Sequence, residues 1–489
     1  MRRQLTIIPI ISLLACLLWS CNERPKSEQV KRPNVLFLLA DQWRAQSTGY
    51  NGDPNLVGKL PNLDRLASQS VDFKNAFSIT PVCTPYRAAL LTGRYPTSTG
   101  MIFNDLHLPE EEVTMGELFK EAGYKTGYIG KWHLDGMGRS NYTPPERRQG
   151  FDYWKALECS HDYHNMRYYE GNDPEPKTWE GYSPYATTAD AISYMKANAN
   201  GEDPFLMVLA WATPHFPHQT APEELQKEFD VDKIILRDNV PEDMRELARK
   251  EAVGYYAHML ALDKCFGYIQ KALDDLGIAD NTIVVFSADH GEMMGSQGVR
   301  PRQKQVPWIE SVSIPFLIRY PDKYGKDGIE IKEPMNVPDV LPTLLSIAGL
   351  EIPDFIEGDD LSGVITGDYS NADDAALVMN VSPFALPNPE YRGVYTSRYA
   401  YIKNLDQPPL LFDLKMDSLQ MNNLAGQPGN EELLNEMESI LQRELSDAGD
   451  EFRPRQYYID KWNYRLNKGG HIDYSEGAPP QGPALNAKQ

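Results

Sequence analysis

Five cysteines in 489 residues are too few for a disulfide-stapled scaffold, and two of them, Cys16 and Cys21, lie in the first 21 positions. The other three, Cys83, Cys159 and Cys265, are an odd count, so at least one thiol needs an explanation other than bridging. Positive charge is scarce as well. Lys and Arg number 48 against 69 Asp and Glu, a formal net charge of -21. This argues against nucleic acid as a partner, because phosphate backbones are held by basic surfaces. A small anionic group on a substrate is still admissible, since it needs only a local cationic pocket. Internal repeats are absent, and the apolar run from Leu5 to Trp19 is too short and too close to the start for a membrane span.

That N-terminal run reads instead as an export signal, with Arg2 and Arg3 ahead of it and the small residue Ser20 before Cys21. Leu18-Trp19-Ser20-Cys21 resembles a lipobox, in which the cysteine is lipidated and becomes the mature N-terminus, although Trp19 is bulky for that motif. The expectation is a lipoprotein-like signal over 1–21, a polar tether over 22–33, and a periplasmic or cell-surface protein touching the membrane only through its lipid. A plain cleaved signal is the alternative.

From Asn34 onward short apolar runs alternate with helical patterns, the signature of a mostly parallel sheet. Strands are predicted at Val35–Leu39, Lys125–Ile129, Phe205–Ala210, Thr282–Ser287 and Phe316–Ile318. Helices are predicted from Pro61, over Gly116–Ala122 (ended by Gly123) and over Thr343–Ala348. The character changes near Ala375. Arg392–Lys403 and Leu410–Leu414 read as exposed antiparallel strands and Glu431–Leu445 as a helix, with an aromatic tail lacking any period from Phe452. A large α/β domain over 34–374 and a C-terminal subdomain with tail over 375–489 follow.

Reactive side chains fall just after the predicted strands. Asp41 and Gln42 follow the first, Lys131 and His133 the second, His215 the third, and Asp289 and His290 the fourth. Ligands of open α/β sheets bind outside the carboxyl ends of strands, so four strands deliver carboxylates, imidazoles and an amine to one edge. Asp41, Asp289 and the side-chain oxygen of Gln42 suit a hard divalent cation. Cys83 opens the segment Cys83-Thr84-Pro85-Tyr86-Arg87, which continues to Thr92-Gly93-Arg94. Arg87 lies four residues on, so on a helix it shares a face with Cys83.

The C-x-P-x-R core followed by T-G-R resembles the signature of formylglycine-dependent sulfatases. Asp41, Gly130-Lys131-Trp132-His133, Pro214-His215 and Asp289-His290-Gly291 stand in that family's order, and the resemblance runs from Asn34 to about Leu445. It implies an alkaline-phosphatase-like large domain, with a mostly parallel sheet sandwiched by helices, and a small C-terminal α+β domain with an antiparallel sheet. It also implies that a maturation enzyme oxidises Cys83 to formylglycine, whose hydrated aldehyde attacks sulfur. Asp41, Gln42, Cys83, Asp289 and His290 would surround one divalent cation. Arg87, Lys131 and Lys304 would hold the nucleophile and the sulfate. His215 would be the acid for the leaving alcohol, and His133 the base that collapses the sulfated intermediate.

Many members carry Asp-Asp and Asp-Asn where this chain has Asp41-Gln42 and Asp289-His290. The pairing here resembles the phosphonate monoester hydrolase and choline sulfatase branch, and an imidazole ligand admits manganese or magnesium beside the calcium expected. The reading is hydrolysis of a sulfate ester, on a saccharide of a sulfated glycan as the exported context suggests. Its alternatives are a phosphodiester or phosphonate monoester hydrolase, and a catalytically silent glycan-binding lipoprotein with an unmodified Cys83. Glu158-Cys159-Ser160-His161-Asp162-Tyr163-His164 is either a sugar-facing segment or a surface loop, and the tail (Tyr457, Tyr458, Trp462, Tyr464) either covers the pocket or packs on the second domain.

Overall fold

The structure, a computed structural model, describes residues 32–384, 389–475 and 477–487. The expected export signal and lipobox, and most of the expected tether, therefore lie outside the described residues. No helix among the described residues is long and apolar enough to cross a membrane.

Ten strands build one sheet in the order Ile329–Ile331, Val71–Phe73, Phe316–Arg319, Thr282–Ala288, Asn34–Asp41, Phe205–Pro214, Lys125–Lys131, Tyr153–Leu157, Arg167–Glu170 and Lys177–Thr178. The five from Thr282–Ala288 through Tyr153–Leu157 are mutually parallel, so their carboxyl ends share one edge. Every residue of Asn34–Asp41 and Phe205–Pro214 is buried, as strands covered on both faces require. The 34-residue helix Glu242–Asp275 packs on Phe205–Pro214 and on the helix Ser183–Asn198.

The second sheet is antiparallel, ordered Ala375–Asn380, Tyr391–Thr396, Tyr399–Asn404 and Leu410–Asp413. It corrects two expectations. The predicted Arg392–Lys403 strand is a hairpin of two strands, and its strands are mostly buried rather than exposed. Both faces are covered. Ala376, Val378, Tyr391 and Tyr395 pack with Phe77 and Val312 of the large domain. Leu377, Val394, Tyr401 and Leu411 join the main core with Met437, Leu441 and Leu445 of the helix Glu431–Asp447.

The tail is also more ordered than its composition implies. It forms the helix Arg455–Lys461 and then returns to the large domain. There Tyr464 Oη donates to the carbonyl of Gly100 at 2.5 Å, and the amide of His107 donates to the carbonyl of Gln481 at 2.8 Å. Of the two dispositions open for the aromatics, Tyr458 takes the second, bonding to Arg392 of the small sheet, whereas Tyr464 reaches the large domain.

Arg392 is wholly buried, and its Nε donates to Asp450 Oδ2 at 2.5 Å. Removing one member of such a pair leaves a buried charge uncompensated, at a cost of about 3–5 kcal/mol. Asp450→Ala should lower the free energy of unfolding in urea by that order, whereas Asp450→Ala combined with Arg392→Met should recover part of the loss. A single variant as stable as the wild type in urea unfolding would show that the pair does not anchor the tail.

Candidate active site

The parallel strand ends deliver their side chains to one place. Asp41 closes Asn34–Asp41, Lys131 closes Lys125–Lys131, His215 follows Phe205–Pro214, and Asp289 and His290 follow Thr282–Ala288. Gly130 makes this approach possible. Its φ is +103°, and a Cβ there would stand 2.0 Å from the carbonyl oxygen of Ala210 on the neighbouring strand. Only glycine lets the strand turn Lys131 inward at that separation.

Cys83 comes from a different element, as the first residue of the helix Cys83–Thr92. The positive end of that helix favours negative charge beside the thiol, while the Thr84 amide is already taken by Asn104 Oδ1 at 2.9 Å. Its Sγ lies 3.3 Å from His290 Nε2 and 3.8 Å from Asp41 Oδ1. Ligand atoms of Asp41, Cys83, Asp289 and His290 all fall within 4.8 Å of one another, and all four residues are buried. Four of the five expected metal-site residues are thus assembled, and two carboxylates with an imidazole fit a divalent cation.

Gln42, the fifth, is committed elsewhere. Its Oε1 accepts from Lys304 Nζ at 2.9 Å, and its Nε2 donates to Glu292 Oε2 in a very short contact. Glu292 is fully buried, and its other oxygen accepts from the amides of Met294 and Arg302, each at 2.8 Å. The carboxylate fixes which way the Gln42 amide faces, since it can only accept. Glu292 was missed from sequence, although it stands three residues after Asp289 in the same strand-end segment.

Cations surround the two aspartates. Lys131 Nζ lies 2.5 Å from Asp41 Oδ2, and Arg87 Nη2 lies 3.1 Å from Asp289 Oδ2 and 3.4 Å from Asp41 Oδ2. Arg87 Nη1 also donates to the carbonyl of Lys131 at 2.7 Å, so helix and strand end are tied together. Burial alone would raise the Asp41 carboxyl, but the Lys131 ammonium and the Arg87 guanidinium outweigh it and hold the group well below the usual carboxylate range. Burial pulls His290 down to about 4.

His215 is paired with Lys304, whose Nζ lies 2.9 Å from its Nε2, while its Nδ1 faces the carbonyl of Phe216 at 2.8 Å. The network assigns the proton to Nδ1 and leaves Nε2 as an acceptor. Burial and the adjacent ammonium push this imidazole well below its ordinary pKa. His161 stacks on it with ring centroids 4.7 Å apart. Of the 158–164 segment, His161 thus lines the site, Tyr163 is buried with its hydroxyl donating to the His215 carbonyl at 2.8 Å, and Asp162 and His164 face solvent.

His133 joins the cluster indirectly. Thr84, next to Cys83, donates to its carbonyl at 2.9 Å, and its Nε2 lies 3.1 Å from Asp105 Oδ1. Asp105 comes from a loop and was not legible in the sequence.

A mostly parallel sheet whose strand ends hold a buried carboxylate pair, with three cations and a cysteine at a helix start gathered beside it, is an arrangement suited to hydrolysis of an anionic ester. A model of the sulfatase family matches residues 33–350, and the chain belongs to that family. A second model, described as N-sulphoglucosamine sulphohydrolase, C-terminal, matches 302–447. The chain is 50% identical to an ulvan-active sulfatase of Formosa agariphila over 94% of this chain and 91% of that protein. It is 29% identical to an endo-4-O-sulfatase of Bacteroides thetaiotaomicron over 86% and 94% of the two chains. A solved structure from Bacteroides thetaiotaomicron, described under metabolism of multiple glycosaminoglycans, superposes with a TM-score of 0.77 at 28% identity, covering 88% of this chain and 98% of the other.

Asp289→Ala removes a carboxylate from the four-residue cluster and should bring bound divalent metal from stoichiometric to background by elemental analysis, with activity falling in parallel. Gln42→Ala should retain its metal if the amide oxygen serves Lys304. Loss of metal in Gln42→Ala would mean that the side chain turns to the cation when one is bound.

Proposed function

We propose that this sulfatase removes O-sulfate from a saccharide of a sulfated glycan, with a formylglycine made from Cys83 as its nucleophile. The observation that carries the reading is the seat of Cys83, at a helix start 3.3 Å from His290 and 3.8 Å from Asp41, inside the C-x-P-x-R motif. The glycan part rests on the Formosa and Bacteroides relatives.

The site meets the difficulty of the reaction, which is to bring a nucleophile to a sulfur shielded by its own oxygens. Lys131 and Lys304 neutralise sulfate oxygens, and Arg87 holds the hydroxyls of the hydrated aldehyde. Asp41, Asp289 and His290 would hold a divalent cation, calcium in our reading, which when bound polarises the sulfate and lowers the pKa of the attacking hydroxyl. The leaving alcohol takes its proton from the Lys304–His215 pair, because the imidazole itself is neutral and its Nε2 accepts from the ammonium. In the second half-reaction His133 removes the proton of the remaining hydroxyl. The C=O bond then forms, the bond from carbon to the sulfate oxygen breaks with its electrons going to sulfate, and the aldehyde is regenerated.

The same nucleophile could act on phosphodiesters, and the Gln42 and His290 positions keep that reading alive. Comparing turnover of sulfate monoesters and phosphate diesters decides between them. Export as a lipoprotein belongs to the same proposal, and incorporation of labelled fatty acid lost in Cys21→Ala would test it.

Peptide mass spectrometry on protein matured in a host with the modifying enzyme should find an aldehyde at position 83, and Cys83→Ala should be inactive but folded. Full activity with an intact thiol would overturn the nucleophile. His215→Ala should lose about 10²–10⁴-fold on a sugar sulfate, whose alkoxide needs a proton, and much less on a nitrophenyl sulfate. Equal losses on both would take the acid role away from the pair.

A further inference from the structure

Around His133 lies a chain of contacts that the reaction described so far does not use. Its Nε2 meets Asp105 Oδ1 at 3.1 Å. Arg139 grips the same carboxylate with two bonds, Nε to Oδ1 at 2.7 Å and Nη2 to Oδ2 at 2.8 Å. The guanidinium in turn lies over the ring of Tyr474, 3.7 Å from its centroid, and Tyr474 belongs to the C-terminal tail. His133 and Asp105 are both buried, and both hold a left-handed backbone, with φ of +61° and +65°. Such conformations are costly for a residue with a side chain and persist where the surroundings over-determine them. The anchor here is Thr84, which donates to the His133 carbonyl and accepts from the Asp105 amide at 3.2 Å.

A carboxylate can only accept, so Asp105 selects the tautomer of His133 that carries its proton on Nε2. That leaves the lone pair on Nδ1, a buried atom with no hydrogen-bond partner. An acceptor left unpaired in the interior is costly in a structure without a use for it. We propose that Asp105 is a positioning residue that keeps His133 in the base-competent tautomer, and that Arg139, capped by Tyr474 of the tail, holds Asp105 in place. The inference rests on the reading of His133 as the base for breakdown of the sulfated intermediate. Burial would raise the Asp105 carboxyl, but the hydrogen bonds from His133 and Arg139 override it, so the acceptor stays charged.

The test is a double-mutant cycle on the matured, metal-loaded enzyme with an aryl sulfate. Asp105→Asn, whose amide can offer Nε2 a donor instead of an acceptor, should cut kcat by about 10²–10⁴-fold, as for loss of a general base, with KM nearly unchanged. In a His133→Ala background the same substitution should have no further effect, a result that a merely structural role would not give. Arg139→Gln, at a partly exposed position, keeps the proposal open to refutation if Asp105→Asn fails to fold. It should give a smaller kcat loss that likewise vanishes without His133. Additive losses in either cycle, or a wild-type kcat in both Asp105→Asn and Arg139→Gln, would overturn the positioning role. A His133→Ala variant with unchanged kcat would instead strike the base assignment itself.

Discussion

Two carboxylates that never reach water set the terms for this molecule. Asp41 and Asp289 end neighbouring parallel strands, both at 0% exposure. A buried carboxylate costs several kcal/mol unless it is paired and hydrogen-bonded. Lys131 and Arg87 supply that pairing, and each must be carried to the aspartates by its own element. This is why the helix Cys83–Thr92 is docked where it is. Arg87 cannot reach Asp289 and the Lys131 carbonyl together unless the helix start, and with it Cys83, lies against the strand ends. The placement of Cys83 is thus a consequence of neutralising the carboxylates.

The formal charges of the site support the same view. Arg87, Lys131 and Lys304 contribute three positive charges, and Asp41, Asp289 and Glu292 three negative ones, so the described groups sum to zero. A divalent cation added to the cluster would leave the site positive, which a sulfate ester can answer. The histidines fit this scheme only as neutral groups. Burial, with help from Lys304, depresses both His290 and His215, and another imidazolium would add to the like-charge repulsion. In a dry site the same low dielectric that makes unpaired charge expensive makes each fixed donor effective on charge developing at the reacting ester.

Much of this was legible because it lies at strand ends. Val35–Leu39 and Phe205–Ala210 are continuous apolar runs, so the strands could be read off although they run on to Asp41 and Pro214, and Asp41, Lys131, His215, Asp289 and His290 followed by position. The helix Glu242–Asp275 also carries a readable stripe (Tyr255, Met259, Leu262, Phe266, Ile269), but a reading that follows strands to their ends has no use for it. What escaped depends on pairs far apart in the chain. Glu292 turns Gln42 from 250 positions away, and nothing local to Gln42 announces that its oxygen faces Lys304. Asp105 and Arg139 come from loops whose side chains meet only in three dimensions. The small sheet was misjudged as exposed because its alternation looks solvated from one side. The helix Glu431–Asp447, the next element along the chain, supplies one cover, and Phe77 and Val312, distant in sequence, supply the other.

The same division separates what is fixed from what is free to vary in this fold. Strand ends are pinned by sheet register, so Asp41, Lys131 and Asp289 cannot drift without disturbing the core. Loops and the tail carry no such constraint. A cavity of about 500 Å³ opens beside Asp105, lined by Arg139, Arg167, Asp473 and Tyr474 among others. Its walls therefore come from loops of the large domain and from the last residues of the chain. Tyr464 and Gln481 pin that tail to the large domain at the Gly100 and His107 carbonyl and amide. Substitutions in the tail can then alter the cavity while leaving Asp41, Asp289 and Cys83 untouched. A tail that both lines this cavity and caps Arg139 couples the cavity wall to the residue that orients His133.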